Sequence, residues 1–332
     1  MTIVARKSAP NVREILTKNK TLQKVTPLGP REGLVAIEPE NWRKEALVVA
    51  TEKAGGTICS ADEATALIWS APENPELLPE FVKDHHDWVQ LPFAGIEPFV
   101  AMLDEQRVWS CGKGVYASAV AEHALAMILS LKRGLVDYSK SESWDKPFGS
   151  NLLGSRVLIL GGGGIAEELI PMLNPFGCSI TVIRKSLLPV SGCDQVLCLD
   201  DLDIVLPETD VVVVALALTS ETEGIINKNR LGLLPPHAIV INVARGKHII
   251  TTDLVNALKN KNIAGAGLDV TEPEPLPAGH DLWGLSNCLI TPHTGNTPEM
   301  GIALLAQRIE ENVARYIAGE ELIGCIDIGA GY

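Results

Sequence analysis

Four consecutive glycines, Gly161 to Gly164, follow the apolar run Arg156 to Leu160 and open onto an apolar-periodic segment that begins with Ile165 and Ala166. A strand, a glycine turn and a helix in that order are the setting in which a Gly-x-Gly-x-x-Gly/Ala spacing binds a dinucleotide. Gly161 is expected to make the tight turn, Gly163 to let backbone N–H groups approach a pyrophosphate, and Ala166 to keep helix and strand close. Gly164 and Ile165 then lie in the first helical turn, whose N–H groups and dipole favour an anion. Glu167 and Glu168 suit that dipole but must face away from phosphate, and Pro171 predicts a kinked or shortened helix.

The next predicted strand, Ser179 to Ile183, runs into Arg184, Lys185 and Ser186 with no acid at its end. An acid at that point accepts the ribose hydroxyls of NAD. Two cations in its place predict recognition of a 2′-phosphate, because a guanidinium pairs with phosphate through two parallel hydrogen bonds and stacks on a base. The expected cofactor is NADP, with NAD as the other option.

Three later segments carry polar groups just past predicted strands: Ile241 to Gly246, Gly265 to Leu276, and Thr291 to Gly295. Ligands of open α/β sheets bind at that carboxyl edge. With Val120-Ala121-Glu122-His123, Leu218-Thr219-Ser220-Glu221-Thr222 and Trp144 ahead of the glycine turn, these segments resemble the D-isomer-specific 2-hydroxyacid dehydrogenase family, and within it the glyoxylate and hydroxypyruvate reductases. The likeness covers nearly all of residues 90 to 300.

The resemblance implies a catalytic Arg, Glu and His, which match Arg245, Glu274 and His293. Reducing a 2-keto acid needs a proton donor at the carbonyl oxygen, a task histidine suits near neutral pH. His293 is expected to be that acid, and the base in the reverse direction. Glu274 is expected to orient the ring through its other nitrogen and favour the imidazolium; the family's spacing of five residues after Asp269 selects it over Glu272. Arg245 is expected to pair with the substrate carboxylate and polarise the carbonyl. By the same resemblance Asp269 contacts the nicotinamide carboxamide, and Thr222 and Val243 line the cofactor.

The segment Pro92 to Ile96 resembles the family's carboxylate-binding loop, so Ala94, Gly95 and Ile96 are expected to offer backbone donors. Ser70, after Leu67-Ile68-Trp69, is a further pocket candidate. His123 reads as a packing or interface group, and His85, His86, His237, His248 and His280 as ordinary. Ala215 and Ala217 depart from the His and Pro that many members carry there. The resemblance leaves two other readings open. One is an NAD(P)-sensing, corepressor-like binding protein on the same fold. The other is a phosphoglycerate dehydrogenase, for which Lys113 is the one evident extra cation.

Elements that must hold these residues alternate along the chain. Ala46 to Ala54 and Leu77 to His85 read as helical, Thr65 to Trp69 and Trp88 to Leu91 as extended. Ala117 to Arg133 makes one long helix bridging two domains, and a polar stretch, Ser139 to Ser150, follows it. A second series of strands starts at Arg156 to Leu160 and Ser179 to Ile183 and continues with Val211 to Leu216, Ala238 to Asn242 and Ala264 to Asp269; such near-continuous apolar runs imply a parallel sheet covered on both faces. A last helix, Glu299 to Ala318, and an extended Leu322 to Ile328 are too short to fold alone and return to the first domain. The expected fold is α/β with two doubly wound parallel-sheet domains. A Rossmann cofactor domain (119–296) is inserted in a split, flavodoxin-like substrate domain (1–118 and 297–332).

Composition fits such a protein. The 332 residues are 46% hydrophobic and 21% charged, with a net charge of -13 that disfavours nucleic-acid and anionic-lipid partners. Apolar runs such as Val211 to Leu218 are far shorter than the roughly 20 residues of a spanning helix, and Met1 to Arg6 carry no signal-peptide core. The expected location is cytoplasmic. Seven cysteines without a CxxC pair suit neither a disulfide framework nor a zinc site, so no metal is expected, and Cys111 alone falls near site segments. The bridging helix spreads Ala119, Val120, Ala124, Leu125, Met127, Ile128 and Leu131 over more than one face, which predicts a homodimer, as the resembled family pairs through this region.

Overall fold

The computed structural model describes residues 30–144 and 146–328, so Met1 to Arg6 and the ends of the expected substrate domain lie outside the described residues. Strands β1 (Leu34–Glu38), β2 (Thr57–Ile58), β3 (Ala66–Trp69), β4 (Trp88–Gln90) and β5 (Val108–Ser110) form a parallel sheet in the order β2-β1-β3-β4-β5. All four residues of β3 are buried, as expected of a central strand covered on both faces. Helix α1 (Lys44–Lys53) joins β1 to β2, and the single-turn α2 (Leu78–Phe81) joins β3 to β4. The helix expected over Leu77 to His85 stops at Phe81, where the chain turns extended at Val82 and enters the polar stretch Asp84 to Asp87.

Helix α3 (Ala117–Lys132) and the one-turn α4 (Leu135–Tyr138) lead to the second sheet. Its strands are β6 (Arg156–Leu160), β7 (Ser179–Ile183), β8 (Gln195–Leu197), β9 (Val211–Val214), β10 (Ile239–Asn242), β11 (Gly265–Leu268) and β12 (Cys288–Ile290), all parallel, in the order β12-β11-β10-β9-β6-β7-β8. The order reverses between β6 and β9, which puts a ligand crevice beyond their carboxyl ends. Helix α5 (Gly164–Leu173) follows β6 and carries Pro171 inside it, ending two residues later. The remaining helices of this half are α6 (Leu202–Val205), α7 (Lys228–Leu233) and α8 (Thr251–Lys259). Ala121, Ala124, Met127 and Ile128 of α3 share one buried cluster with Ile159 of β6 and Ala166, Leu169 and Ile170 of α5.

The last helix, α9 (Pro298–Ala318), returns to the first sheet. Leu305, Ile309, Val313 and Tyr316 join Val35, Ile37, Ile68 and Trp88 in one core. A buried polar chain accompanies them: Asn312 Nδ2 donates to Gln90 Oε1 at 2.8 Å and to the Ile323 carbonyl at 2.9 Å, and Asn312 Oδ1 accepts the Ile323 N–H at 2.8 Å. Ser110 Oγ also donates to Gln90 Oε1, and the Trp88 indole N–H donates to Ser110 Oγ, so the chain is satisfied through the sheet. The tail expected to be extended over Leu322 to Ile328 makes only a bridge between Cys325 and Ser110. Replacing Asn312 by Leu is expected to cost about 2–4 kcal/mol, since each orphaned buried polar group costs about 1–3 kcal/mol. A urea midpoint unchanged in Asn312→Leu contradicts this anchoring.

Candidate active site

The glycine turn lies in the crevice between β6 and β9. Gly161 has φ +111° and sits so close to the Ala215 carbonyl that a Cβ there would collide with it, while its N–H donates to the Ile183 carbonyl at 2.8 Å. Gly163, the extended residue capping α5, has no atom within 4 Å of where a Cβ would stand. Ala166 is fully buried where α5 meets the sheet. This leaves a cradle of backbone N–H groups at a helix N-terminus, the donor set a pyrophosphate takes. Ile165 is half-buried beside it, and Gly164 faces Ala117 of α3, where a Cβ would stand 3.1 Å from that side chain's Cβ.

Arg184 lies along this turn. Its Cδ and Nε are 2.8 and 3.2 Å from where a Cβ of Gly162 would be, so its stem rests on the glycine. Lys185 is exposed and pairs at 3.8 Å with Glu221 of the loop after β9, and Ser186 Oγ accepts the Leu188 N–H. Thr222 uses its hydroxyl within its own loop, donating to the Ala217 carbonyl and accepting the Thr219 N–H, both at 2.8 Å. Val243 is buried, and its N–H donates to the Val214 carbonyl. His248, expected to be ordinary, is fully buried with its two ring nitrogens 3.0 and 3.1 Å from the Thr222 and Leu216 carbonyls, pinning that loop. Burial pulls its pKa below the usual histidine range despite those two carbonyls.

Arg245 reaches from the end of β10 to the loop after β4. Asn242 holds its turn, donating to the Arg245 carbonyl and accepting the Ala244 N–H. Gly246 packs against the Thr271 carbonyl so tightly that a side chain would collide. Arg245 Nε donates to Glu97 Oε1 at 3.1 Å and Nη1 to the Ala244 carbonyl at 2.8 Å, while Nη2 lies directly over Gly95. A side chain at Gly95 would displace the ends of the Arg245 and Glu97 side chains from these positions. Ala94 is exposed, Ile96 is buried, and among the described residues the N–H groups of Gly95 and Ile96 donate to no protein acceptor. Ser70 does not join this group: it is fully buried, donating to the Pro39 carbonyl and accepting from Asn41 Nδ2, both at 2.7 Å. It clasps the β1 and β3 ends instead of facing the pocket. Cys111 is buried, which pushes its thiol up and makes it inert.

His293 and Glu274 meet. Nδ1 of His293 stands 2.7 Å from Glu274 Oε1, both side chains are solvent-accessible, and of the two neighbouring glutamates it is Glu274 that reaches the ring. His293 has φ +54°, a left-handed conformation uncommon outside glycine. Its N–H donates to the Asp269 carbonyl at 2.8 Å. The Asp269 side chain, expected at the nicotinamide, is turned into the loop: Oδ1 accepts the Thr291 hydroxyl at 2.6 Å and the Thr294 N–H at 2.8 Å, and Oδ2 accepts the Gly295 N–H at 3.0 Å. His123, expected to pack or to serve an interface, lies 2.9 Å from Thr291 Oγ1 and 3.4 Å from Asp269 Oδ1. Burial alone raises the Asp269 carboxyl, but hydrogen bonds from His123, Thr291 and the two N–H groups hold it at about 2 against an ordinary 3.8.

A carboxyl depressed in the folded state stabilises fully above its unfolded pKa and loses that contribution as pH falls through the folded value. Asp269→Asn is therefore expected to lower the urea midpoint at pH 7, with the gap to the parent closing between about pH 4 and pH 2. A gap of constant size down to pH 2 contradicts the assignment.

Residues 125–295 match the NAD binding domain of the D-isomer specific 2-hydroxyacid dehydrogenases. The chain is 40% identical over 271 residues to an uncharacterized protein in the proB 3′ region of Corynebacterium melassecola, covering 79% of this chain and 88% of that one. It is 33% identical over 218 residues to the glyoxylate reductase of Pyrococcus furiosus, a match spanning 62% of this chain and 65% of the reductase. A solved D-isomer specific 2-hydroxyacid dehydrogenase from Xanthobacter autotrophicus Py2, in complex with NADPH and MES, superposes with a TM-score of 0.78 at 26% identity, covering 91% of this chain and 100% of that one.

Proposed function

Because the chain belongs to the D-isomer specific 2-hydroxyacid dehydrogenase family, we propose that it reduces glyoxylate, hydroxypyruvate or a 2-keto acid of similar size, with His293 as the general acid. It is an NAD(P)-dependent oxidoreductase of 2-keto and D-2-hydroxy acids. The observation that carries the finer reading is the 2.7 Å contact of Glu274 with His293, on the same sheet edge as an arginine lodged over Gly95.

The nicotinamide cofactor, when bound at the glycine turn, supplies the hydride. Arg245 Nη2 and the unengaged N–H groups of Gly95 and Ile96 hold the substrate carboxylate, with Glu97 fixing the guanidinium through Nε. Glu274 occupies Nδ1 of His293, which leaves Nε2 to give its proton to the carbonyl oxygen and to take it back in the reverse direction. Gly161, Gly163, Gly164 and Ile165 receive the pyrophosphate, with Thr222 and Val243 shaping the wall beside it. Asp269 serves by fixing the loop that carries His293; a contact with the carboxamide is left to the remaining lone pair of Oδ2.

The preference for NADP rests on Arg184, whose stem lies on the turn, and on Lys185 and Ser186 beside it. The substrate domain comprises 1–118 and 297–332 and the cofactor domain 119–296, a division supported by the place of α9 in the first sheet's core. Such an enzyme works where nicotinamide cofactors are kept, which supports a cytoplasmic location. No helix among the described residues is long and apolar enough to cross a membrane.

A panel of 2-keto acids assayed with NADPH and NADH, read by loss of reduced-nicotinamide absorbance, tests the reading. Turnover of a short 2-keto acid is expected, and tight NADPH binding without turnover of any contradicts it. Arg184→Asp is expected to raise the NADPH Michaelis constant more than about tenfold, since a charge-assisted pair is worth about 1.5–3 kcal/mol; an unchanged NADPH to NADH ratio in that variant removes the assignment.

The reading includes a homodimer. Val120, Leu125, Leu129 and Leu131 of α3 are only half-buried, and Leu135, Trp144, Phe148 and Leu153 just beyond it are exposed. Apolar surface gathered in this way favours a second copy of the chain. Light scattering at micromolar concentration is expected to give twice the 35.6 kDa of the chain, and a mass near 35.6 kDa contradicts the dimer.

A further inference from the structure

We propose that His123 is a positioning residue for His293, acting through Thr291 and Asp269; the inference rests on the role given to His293 above. The segment Val120 to His123 of α3 packs against the loop that bears His293. Val120 and His123, three apart and so on one face of the helix, both reach that loop: a Cβ on Gly295 would stand 3.5 Å from Val120 Cγ2, and His123 Nε2 is 2.9 Å from Thr291 Oγ1.

The direction of the hydrogen bonds follows from the donors available. Thr291 gives its one hydroxyl proton to Asp269 Oδ1 at 2.6 Å, so it can offer His123 only a lone pair, and Nε2 must be the protonated nitrogen. The proton on Nε2 thus points at the Thr291–Asp269 pair, with Asp269 Oδ1 3.4 Å away. Asp269 in turn receives the N–H groups of Thr294 and Gly295, the two residues after His293, and its own carbonyl accepts the His293 N–H. The pair is shielded, with the Asp269 side chain 4% exposed and that of His123 22%. A donor lost here has little water to replace it. The Thr291 hydroxyl then loses the donor that fixes its direction and Asp269 Oδ1 loses a nearby donor, so the φ +54° backbone of His293 loses part of what fixes it.

Two near-isosteric variants separate hydrogen bonding from packing. His123→Gln keeps an N–H donor at similar reach, whereas His123→Met keeps the bulk without it. In NADPH-dependent glyoxylate reduction, His123→Met is expected to lower kcat by about 10- to 100-fold, the penalty of a misplaced reacting group, while the NADPH dissociation constant and the glyoxylate KM stay within about threefold of the parent. His123→Gln is expected to keep kcat within about threefold, and Thr291→Val combined with His123→Met to be no slower than the slower single variant. A His123→Met kcat within twofold of the parent, or equal losses in the Met and Gln variants, overturns the proposal. Should His123→Met not fold, Thr291→Val, which cuts the same chain one step later, is read against the same limits. His293→Ala separates the two claims. If it keeps the parent kcat, the general-acid reading itself fails; if it loses turnover while His123→Met does not, only the role of His123 falls.

Discussion

The buried carboxylate of Asp269 is the constraint on which the rest of the site depends. A non-glycine residue at positive φ costs on the order of 1–3 kcal/mol and persists only where its surroundings over-determine it. Asp269 supplies that over-determination for His293, through its own carbonyl and through both carboxylate oxygens, which bind Thr291, Thr294 and Gly295 on either side of it in the chain. The carboxylate is held ionised by the same bonds that hold the loop, so the anchor and its charge are one feature. Glu274 then has a ring of fixed direction to meet, and the 2.7 Å contact between them follows.

Close approach is the second requirement, and glycine meets it twice between backbones and once between a backbone and a side chain. Gly161 lets β6 and β9 end side by side at the crevice, Gly246 lets the Arg245 turn rest on the Thr271 carbonyl, and Gly95 leaves room for the Arg245 guanidinium on the opposite sheet's loop. A methyl group at Gly161 or Gly246 meets backbone and pushes apart two segments that the chemistry needs together, while one at Gly95 displaces the guanidinium of Arg245. Arg245 and Glu97 lie 148 residues apart in sequence, and the contact between them ties the carboxyl edges of the two sheets.

Much of this is legible in the chain. β6 and β7 begin and end where the apolar runs predict them, and α3 and α9 follow their periodicity to within a residue or so, because long amphipathic or continuous apolar segments leave few alternatives. β5, β8 and β12, with three residues each, are too short to show any period and are stabilised by their neighbours in the sheet. The choice of Glu274 over Glu272 comes from the resemblance to the family, and it is Glu274 that stands 2.7 Å from the His293 ring. What spacing does not reveal is which way a polar side chain turns. Ser70 reads as a pocket residue and is a buried clasp, Asp269 also bonds the loop that bears His293, which its cofactor reading does not foretell, and His123 finds its partner 168 residues away. Those pairings arise only when distant segments are packed, and no local pattern encodes them.

The central claim is that Glu274 acts only through the His293 ring. The most direct measurement is a kinetic double-mutant cycle on 2-keto acid reduction with Glu274→Gln, His293→Gln and the double variant. The account predicts that Glu274→Gln slows the parent but leaves the His293→Gln enzyme no slower than it already is. Two losses that multiply in the double variant would contradict it.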